Sequence, residues 1–420
     1  MNIVRPRLFG QNYAFVVVAA IFLTLLAAAG ARSAPGVLIL PLEEHFGWGR
    51  STTALSAGIG IFLYGMVGPF AAALMNTLGL RRTVLGALAL MSASAAVSAF
   101  MSEPWHLILS WGVFSGLGSG AVALVLAATI VNRWFVRNRS LMMGLLTAST
   151  ATGTLVFLPV LAWLSQTGGW QPVVIAVALV LAAMIPVVWL LLPERPAAVG
   201  LLPYGATTAP VEAPHAGMVS AAIGTLKRAA RTRSFWYLFA TFFICGFTTN
   251  GLVGTHLIAL CGDMGIPAVQ AAGLLMVMGI FDLVGTTLSG WLTDRYDPRK
   301  LLFLYYALRG LSLIYLPFSD FSYYSLAVFA VFYGLDWIAT VPPTLRLATE
   351  AFGERDAPVV FGWIAAGHQM GAASAAYLGG ALRDSQGDYL TMFLLAGSTG
   401  LVAAGLSVMI RRGQTAGAPA

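Results

Sequence analysis

Charge is scarce in this chain. Asp, Glu, Lys and Arg together supply only 9% of its 420 residues, too few to clothe a water-soluble domain, where about a quarter of residues are charged. Cysteine is scarcer still, with Cys245 and Cys261 the two present. On one predicted helix rising about 1.5 Å per residue they stand roughly 24 Å apart, too far to bridge, so they say nothing about redox compartment. The histidines, His45, His106, His215, His256 and His368, are scattered without the paired spacing of a metal site, and no metal is expected. A phosphate-cradling glycine loop followed by Lys and Ser or Thr is missing, which excludes ATP as the energy source. So is a nucleophile elbow in any sizeable aqueous domain, which leaves an enzyme embedded in the membrane as the remote alternative. No cofactor is implied.

What the chain has is hydrocarbon. Hydrophobic residues make up 58% of it and the mean hydropathy is +0.82, the composition of a polytopic membrane protein. Apolar stretches long enough to cross roughly 30 Å of bilayer fall at 14–40, 52–76, 83–101, 105–131, 140–164 and 172–192. A second set follows at 234–260, 267–293, 300–318, 322–348, 357–381 and 389–410. The expected fold is therefore an all-α membrane protein of twelve transmembrane helices in two pseudo-symmetric six-helix bundles. Its parts are 1–192, a linker at 193–233, and 234–420. The linker, with PERP, LLPYG, a Pro/Ala/Thr stretch and then Lys227, Arg228, Arg231 and Arg233, reads as flexible and as ending in a membrane-surface helix.

Orientation follows from the basic residues. With the N-terminus inside, the cytoplasmic side collects Arg5, Arg7, Arg81, Arg82, Arg133, Arg137, Arg139, Arg195, Lys227, Arg228, Arg231, Arg233, Arg295, Arg299, Lys300, Arg355, Arg411 and Arg412. The outside keeps Arg50 and Arg383. This asymmetry predicts an inner-membrane protein with both termini cytoplasmic. The pI near 9.6 reflects those short basic loops, which suit anionic membrane lipid and not a nucleic-acid partner. The first apolar run is too long for a cleaved signal and is expected to stay as a span. A monomer is expected.

The halves repeat. AALMNTLGLRR at 72–82 and GWLTDRYDPRK at 290–300 are two versions of one basic turn, 218 positions apart. The same offset carries Gly144 onto Gly362 and Gly153 onto Gly371, and Phe135 onto Phe352 within one residue. Parallel repeats of this kind place a transport site near the bilayer midplane between them. The glycine series Gly112, Gly116 and Gly120, with Gly367 and Gly371, fits close helix approach, for rocking or for packing alone.

Charges inside predicted spans are costly and are candidates for function. They are Arg32, Asp282, Arg309, Asp336 and Arg346. Arg346 lies near a helix end and is expected to snorkel. The offset sets Arg32 opposite Asn250 and Tyr64 opposite Asp282. A guanidinium can grip a carboxylate with two parallel hydrogen bonds, while an amide serves a hydroxyl or carbonyl on the same ligand. The blander alternative has Arg32 facing water in a vestibule. Thr249 and His256, seven apart, align on a regular helix. His368 and Gln369 lie near mid-depth, with Tyr377 further out. These are candidate substrate contacts, each with core packing as its alternative. Asp282, if it faces the cavity, is the candidate proton carrier.

With these residues in place the chain resembles the major facilitator superfamily. GWLTDRYDPRK at 290–300 is similar to that family's signature between the second and third helices of a half. The resemblance implies a cytoplasmic gate at Asp294, Arg295, Arg299 and Lys300, with Asn76, Thr77 and Arg81 in the other copy, where Asn76 and Thr77 replace the acid and first base. Asp294→Asn is accordingly expected to impair transport far more than Asn76→Ala. GVLILPLEEHFGWGRSTTALS at 36–56 and NRWFVRNRSLMMGL at 132–145 look like the monocarboxylate and oxalate/formate porter branch. In that branch Asp282 falls at the acid of helix eight and Thr286 where a substrate-binding arginine stands, while Arg32 lies close to a basic residue tied to substrate and proton. On helix nine of such a fold, Arg309 is expected to neutralise Asp282 or Asp336. The implied function is proton-coupled transport of a small organic anion by a rocking motion. The alternative is a proton-coupled efflux antiporter, against which stands WGVFSGLGSG at 111–120, lacking the arginine such antiporters carry there.

Overall fold

A computed structural model describes residues 10–208 and 218–410. Arg5, Arg7, His215, Arg411, Arg412 and the side chain of Arg355 lie outside the described residues. Twelve long helices carry the fold among the described residues. The first bundle contains α1 (Tyr13–Phe46), α2 (Arg50–Thr77), α3 (Leu80–Ser98), α4 (Pro104–Trp134), α5 (Arg139–Gly168) and α6 (Trp170–Leu191). The second contains α7 (Arg233–Asp263), α8 (Ala268–Thr293), α9 (Pro298–Tyr315), α10 (323–352), α11 (354–386) and α12 (Leu390–Val408). Gly353 separates α10 from α11 at φ 77° and ψ 161°, a left-sided conformation that only a residue without Cβ takes easily.

Eleven helices among the described residues are long and apolar enough to cross a bilayer. The stretch of α11 is not one of them. It is rich in Ala, Gly and Ser because it packs on other helices more than on lipid, and small residues let backbones approach. Gly371 lies against the Phe243 carbonyl of α7, and a Cβ on Gly58 of α2 would sit 2.9 Å from the Ala373 carbonyl.

The repeat appears in contacts as well as in sequence. In the first half Gly116 of α4 packs on Gly60 of α2, and in the second half Gly334 of α10 packs on Met278 of α8, each partner 218 residues on. Both fourth helices break. α4 breaks at Val122 and Ala123, whose φ/ψ angles are −106°/46° and −97°/−165°. α10 breaks over 337–340, just before Pro342 and Pro343. The prolines explain the second break: neither has an N–H, so the carbonyls of Ile338 and Ala339 lose their helical donors. The expected uninterrupted spans at 105–131 and 322–348 missed both breaks. α4 and α7 also contain π-helical turns, Ile108–Phe114 and Phe247–Val253.

The linker is tied at both ends. The Tyr204 N–H donates to the Trp134 carbonyl at 2.8 Å, its carbonyl accepts from Val136 N–H at 2.9 Å, and its ring meets Phe15 edge-on at 4.9 Å. Gln11 Nε2 donates to the Ala206 carbonyl at 2.9 Å. The expected flexible beginning is thus docked on the first bundle. A helix at Met218–Ala229 lies against α11, where Arg228 pairs with Asp356 at 2.8 Å. Cys245 and Cys261 are both free and buried.

Candidate functional site

α1 and α7 start on the face that carries residues 10 and 410, here the termini face, and end on the opposite, far face. They cross at Gly36 and Gly254, again 218 positions apart. A Cβ on Gly36 would stand 3.1 Å from the Gly254 carbonyl oxygen and 3.2 Å from that of Thr255, so the backbones touch. One turn nearer the termini face, on the two helices, stand Arg32 and Asn250.

Arg32 lies over the Tyr64 ring of α2, 4.9 Å from its centroid, a cation–π contact that holds the guanidinium without using its N–H groups. Its Nη1 is buried and makes no hydrogen bond among the described residues. An unmet buried donor costs on the order of 1–3 kcal/mol, and more when charged. Beside it, Ser33 bonds Thr154 of α5 at 3.3 Å. Asn250 sits in the π turn of α7 with its side chain exposed, and its carbonyl accepts from Thr255 Oγ1 at 2.9 Å. Gln369 of α11 packs on Gly65 of α2, across the bundle interface. Arg32 and Gln369 both pack on α2, and Asn250 occupies the offset-related position to Arg32 on α7.

The other predicted contacts are dispersed. His256 is fully buried, with Nε2 on the Ala376 carbonyl at 2.7 Å and Nδ1 on the Tyr389 hydroxyl at 3.2 Å. Because a carbonyl only accepts, Nε2 carries the proton and Nδ1 accepts from Tyr389. Both nitrogens are thus engaged in packing contacts toward the far face. The π turn between Thr249 and His256 also spoils the seven-residue alignment, which assumes a regular helix. His368 leans on Phe242, ring centroids 5.0 Å apart, beside Cys245. Tyr377 is 43% exposed and lies two turns beyond Gln369 toward the far face.

Asp282 of α8 is 6% exposed. Its Oδ1 accepts from the Ile338 N–H at 2.8 Å and from Thr286 Oγ1 at 2.9 Å, so it caps the break in α10. Arg309 pairs with Asp336 at 2.6 Å, not with Asp282, and also donates to the Trp337 carbonyl at 3.1 Å and to Cys245 Sγ at 3.0 Å. Ser289 serves the Ala339 carbonyl orphaned by Pro343, at 2.5 Å, and Val341 N–H serves that of Ile338 at 2.9 Å. Asp336 Oδ1 stays buried without a partner among the described residues. Arg346, at the termini end of α10, bonds Glu350 at 3.0 Å.

On the termini face the predicted gate residues engage their own halves. Asn76 accepts from Arg133 at 2.6 Å, and Arg81 donates to the Trp189 carbonyl. Glu194 accepts from the N–H of Leu80 at 2.6 Å and of Arg81 at 3.2 Å. Asp294 is exposed, Arg295 stacks on Trp291 at 4.1 Å, and Arg299 holds Asp297 at 2.8 Å. On the far face the halves meet through Arg50, one of the two basic residues expected outside, and Asp263. No local pattern foreshadows that pair, because it joins positions 213 residues apart.

A family model for the Major Facilitator Superfamily matches residues 20–346 and 279–419. Monocarboxylate transporter 13 of Rattus norvegicus is 29% identical over 398 residues, covering 94% of this chain and 88% of that protein. An uncharacterized MFS-type transporter, YcxA of Bacillus subtilis, is 26% identical over 390 residues, covering 89% and 88%. Among solved structures, a bacterial homolog of the human lysosomal transporter Spinster, inward-facing and occupied, superposes with a TM-score of 0.75 at 14% identity, covering 95% of this chain and 97% of that one.

Proposed function

This chain belongs to the Major Facilitator Superfamily and is a membrane transporter, and on that premise we propose that it moves a small organic anion, monocarboxylate-like, together with a proton across the inner membrane. The observation that carries the reading is the buried, unmet Nη1 of Arg32, presented at the meeting of the two halves on a platform of Tyr64. A carboxylate is the ligand that satisfies two adjacent guanidinium donors at once. Asn250, across the interface on α7, supplies an amide for a hydroxyl or carbonyl on the same molecule, and Gln369 extends the polar surface on α11. The likeness to monocarboxylate transporter 13 supports this substrate class.

Asp282 carries the coupling proton in this reading. It contacts a hydroxyl and a backbone N–H, with no cation bonded to it among the described residues, so a proton can join it without breaking an ion pair. The halves rock about the crossing of Gly36 and Gly254. With both termini cytoplasmic, the far face is periplasmic and closed here, and the gate residues of the cytoplasmic face bond within their own halves.

Purified protein in liposomes tests the assignment. Arg32→Gln is expected to lower uptake of labelled monocarboxylates by roughly ten- to a hundredfold, the value of a charged hydrogen bond, with folding intact. Unchanged uptake removes the central claim. Transport of lipophilic cations that survives the substitution favours the efflux alternative.

A further inference from the structure

At the far face, charged groups from both bundles converge. Arg50, the first residue of α2, is 4% exposed although it is an arginine at a membrane surface. Its Nη1 and Nη2 grip both oxygens of Asp263 at the end of α7, at 2.8 and 2.6 Å, while Nε pairs with Glu43 of its own half at 2.8 Å. The same Asp263 is held from its other side by Arg383 of α11 at 2.9 Å. Tyr389 packs beneath, its hydroxyl 3.4 Å from Arg50 Nη1 and its ring 5.7 Å from the guanidinium carbon. Burial pushes the Tyr389 phenol up to about 12, so it stays neutral and bridges Arg50 to His256.

The next residue of α11 makes a second bridge. Asp384 accepts from the backbone N–H groups of Arg50 and Ser51, both at 2.9 Å. It therefore caps the first N–H groups of α2 from the other half of the molecule. A carboxylate there satisfies free N–H groups and the positive end of the helix dipole together. Gly49 leaves room for it: a Cβ on that residue would meet the Asp384 carboxylate oxygen at 2.5 Å.

We propose that Arg50, Asp263 and Asp384 form the outer latch of the transport cycle, holding the far face shut until the two halves rock apart. The bidentate pair fixes angle as well as distance, and the borrowed cap ties the same spot through backbone. Separation strips Arg50 of two carboxylate bonds and α2 of its cap at once, so the closed far face is strongly favoured. The ion pairs Arg299 with Asp297 and Arg346 with Glu350 at the termini face lie within the second half, and give no comparable hold there.

The test is the distance between one far-face loop of each half, read by double electron–electron resonance from spin labels at Ser102 and Tyr323, both exposed. The native Cys245 and Cys261 are buried, so labelling falls on the introduced cysteines. In the parent protein one short distance is expected. Arg50→Ala should raise the long-distance population roughly tenfold or more, since it strands one side of a buried ion pair. Asp384→Ala, at an exposed position that leaves the pair intact, should raise it about two- to fivefold, the value of a lost cap. A distribution unchanged in Asp384→Ala, and in Arg50→Ala if that variant folds, overturns the proposal. The reading goes beyond the substrate assignment: the measurement needs no substrate, so a wrong cargo and a wrong latch are told apart.

Discussion

In the first half, the break in α4 is surrounded by groups without charge. Gly118 packs against Met91, and Gly120 against Val67 and the Tyr64 carbonyl. In the second half, 218 residues on, the same positions are Asp336, Arg309, Ile338 and Asp282, and the same contacts are an ion pair and a carboxylate-to-N–H bond. The backbone is conserved between halves while the chemistry is not. Charge is therefore not needed to break a fourth helix in this fold. What differs is the length of the break: two residues in α4 against 337–340 in α10, with Pro342 and Pro343 removing further donors. The longer break exposes more backbone in hydrocarbon, where each unmet group costs several kcal/mol, and Arg309, Ser289 and Asp282 meet it.

Making the second half resemble the first is the largest test of this contrast. Arg309→Met leaves Asp336 buried and alone, and should lower stability by about 3–5 kcal/mol. Adding Asp336→Gly, which reproduces the Met91 and Gly118 pair of the first half, should recover most of that loss, because no charge is then left buried without a partner. Thermal unfolding in detergent measures both. If the double variant is no more stable than the single, the ion pair is not what Arg309 contributes, and its bond to the Trp337 carbonyl carries the effect.

Asp282 and Tyr64 give the next comparison. Asp282→Asn retains an oxygen for the Ile338 N–H but cannot exchange a proton. Accumulation of substrate driven by a pH gradient should fall by roughly tenfold or more, the scale of 1.4 kcal/mol, while exchange at equal pH persists. Tyr64→Phe keeps the ring under Arg32 and should leave both assays close to the parent. Loss of exchange along with accumulation in Asp282→Asn would make the residue a structural cap instead of a proton carrier.

The halves, the repeat and its register were legible in the sequence because helix packing writes small residues at fixed offsets. Gly36 and Gly254 touch where the offset sets them. Arg32 and Asp282 stood out because charge within an apolar run is expensive. The two broken helices were not legible. The break in α4 lies between SGLGSG and ALVL without a proline, and Pro342–Pro343 reads equally as the tolerated first turn of a helix. His256 was misplaced because a π turn is invisible to a count by sevens. Arg50 was passed over because its partners, Asp263 and Asp384, lie more than two hundred residues away and only the folded interface brings them together.

The smallest expected effect sits at Thr286, whose counterpart in the first half is Gly68. A Cβ on Gly68 would meet nothing within 4 Å, whereas Thr286 fills its place with a hydroxyl that donates to Asp282 at 2.9 Å. Thr286→Val keeps the shape and removes the donor, so stability should drop by about 1 kcal/mol. Thr286→Ser should restore it, since the hydroxyl returns within the same helical turn. Gly68→Ser should change nothing comparable, because no carboxylate stands at Tyr64 to receive the bond. No loss in Thr286→Val together with a loss in Thr286→Ser, followed by thermal unfolding, would mean that the methyl group and not the hydroxyl matters at this position. The contrast between the halves would then be one of packing at this point and not of polarity.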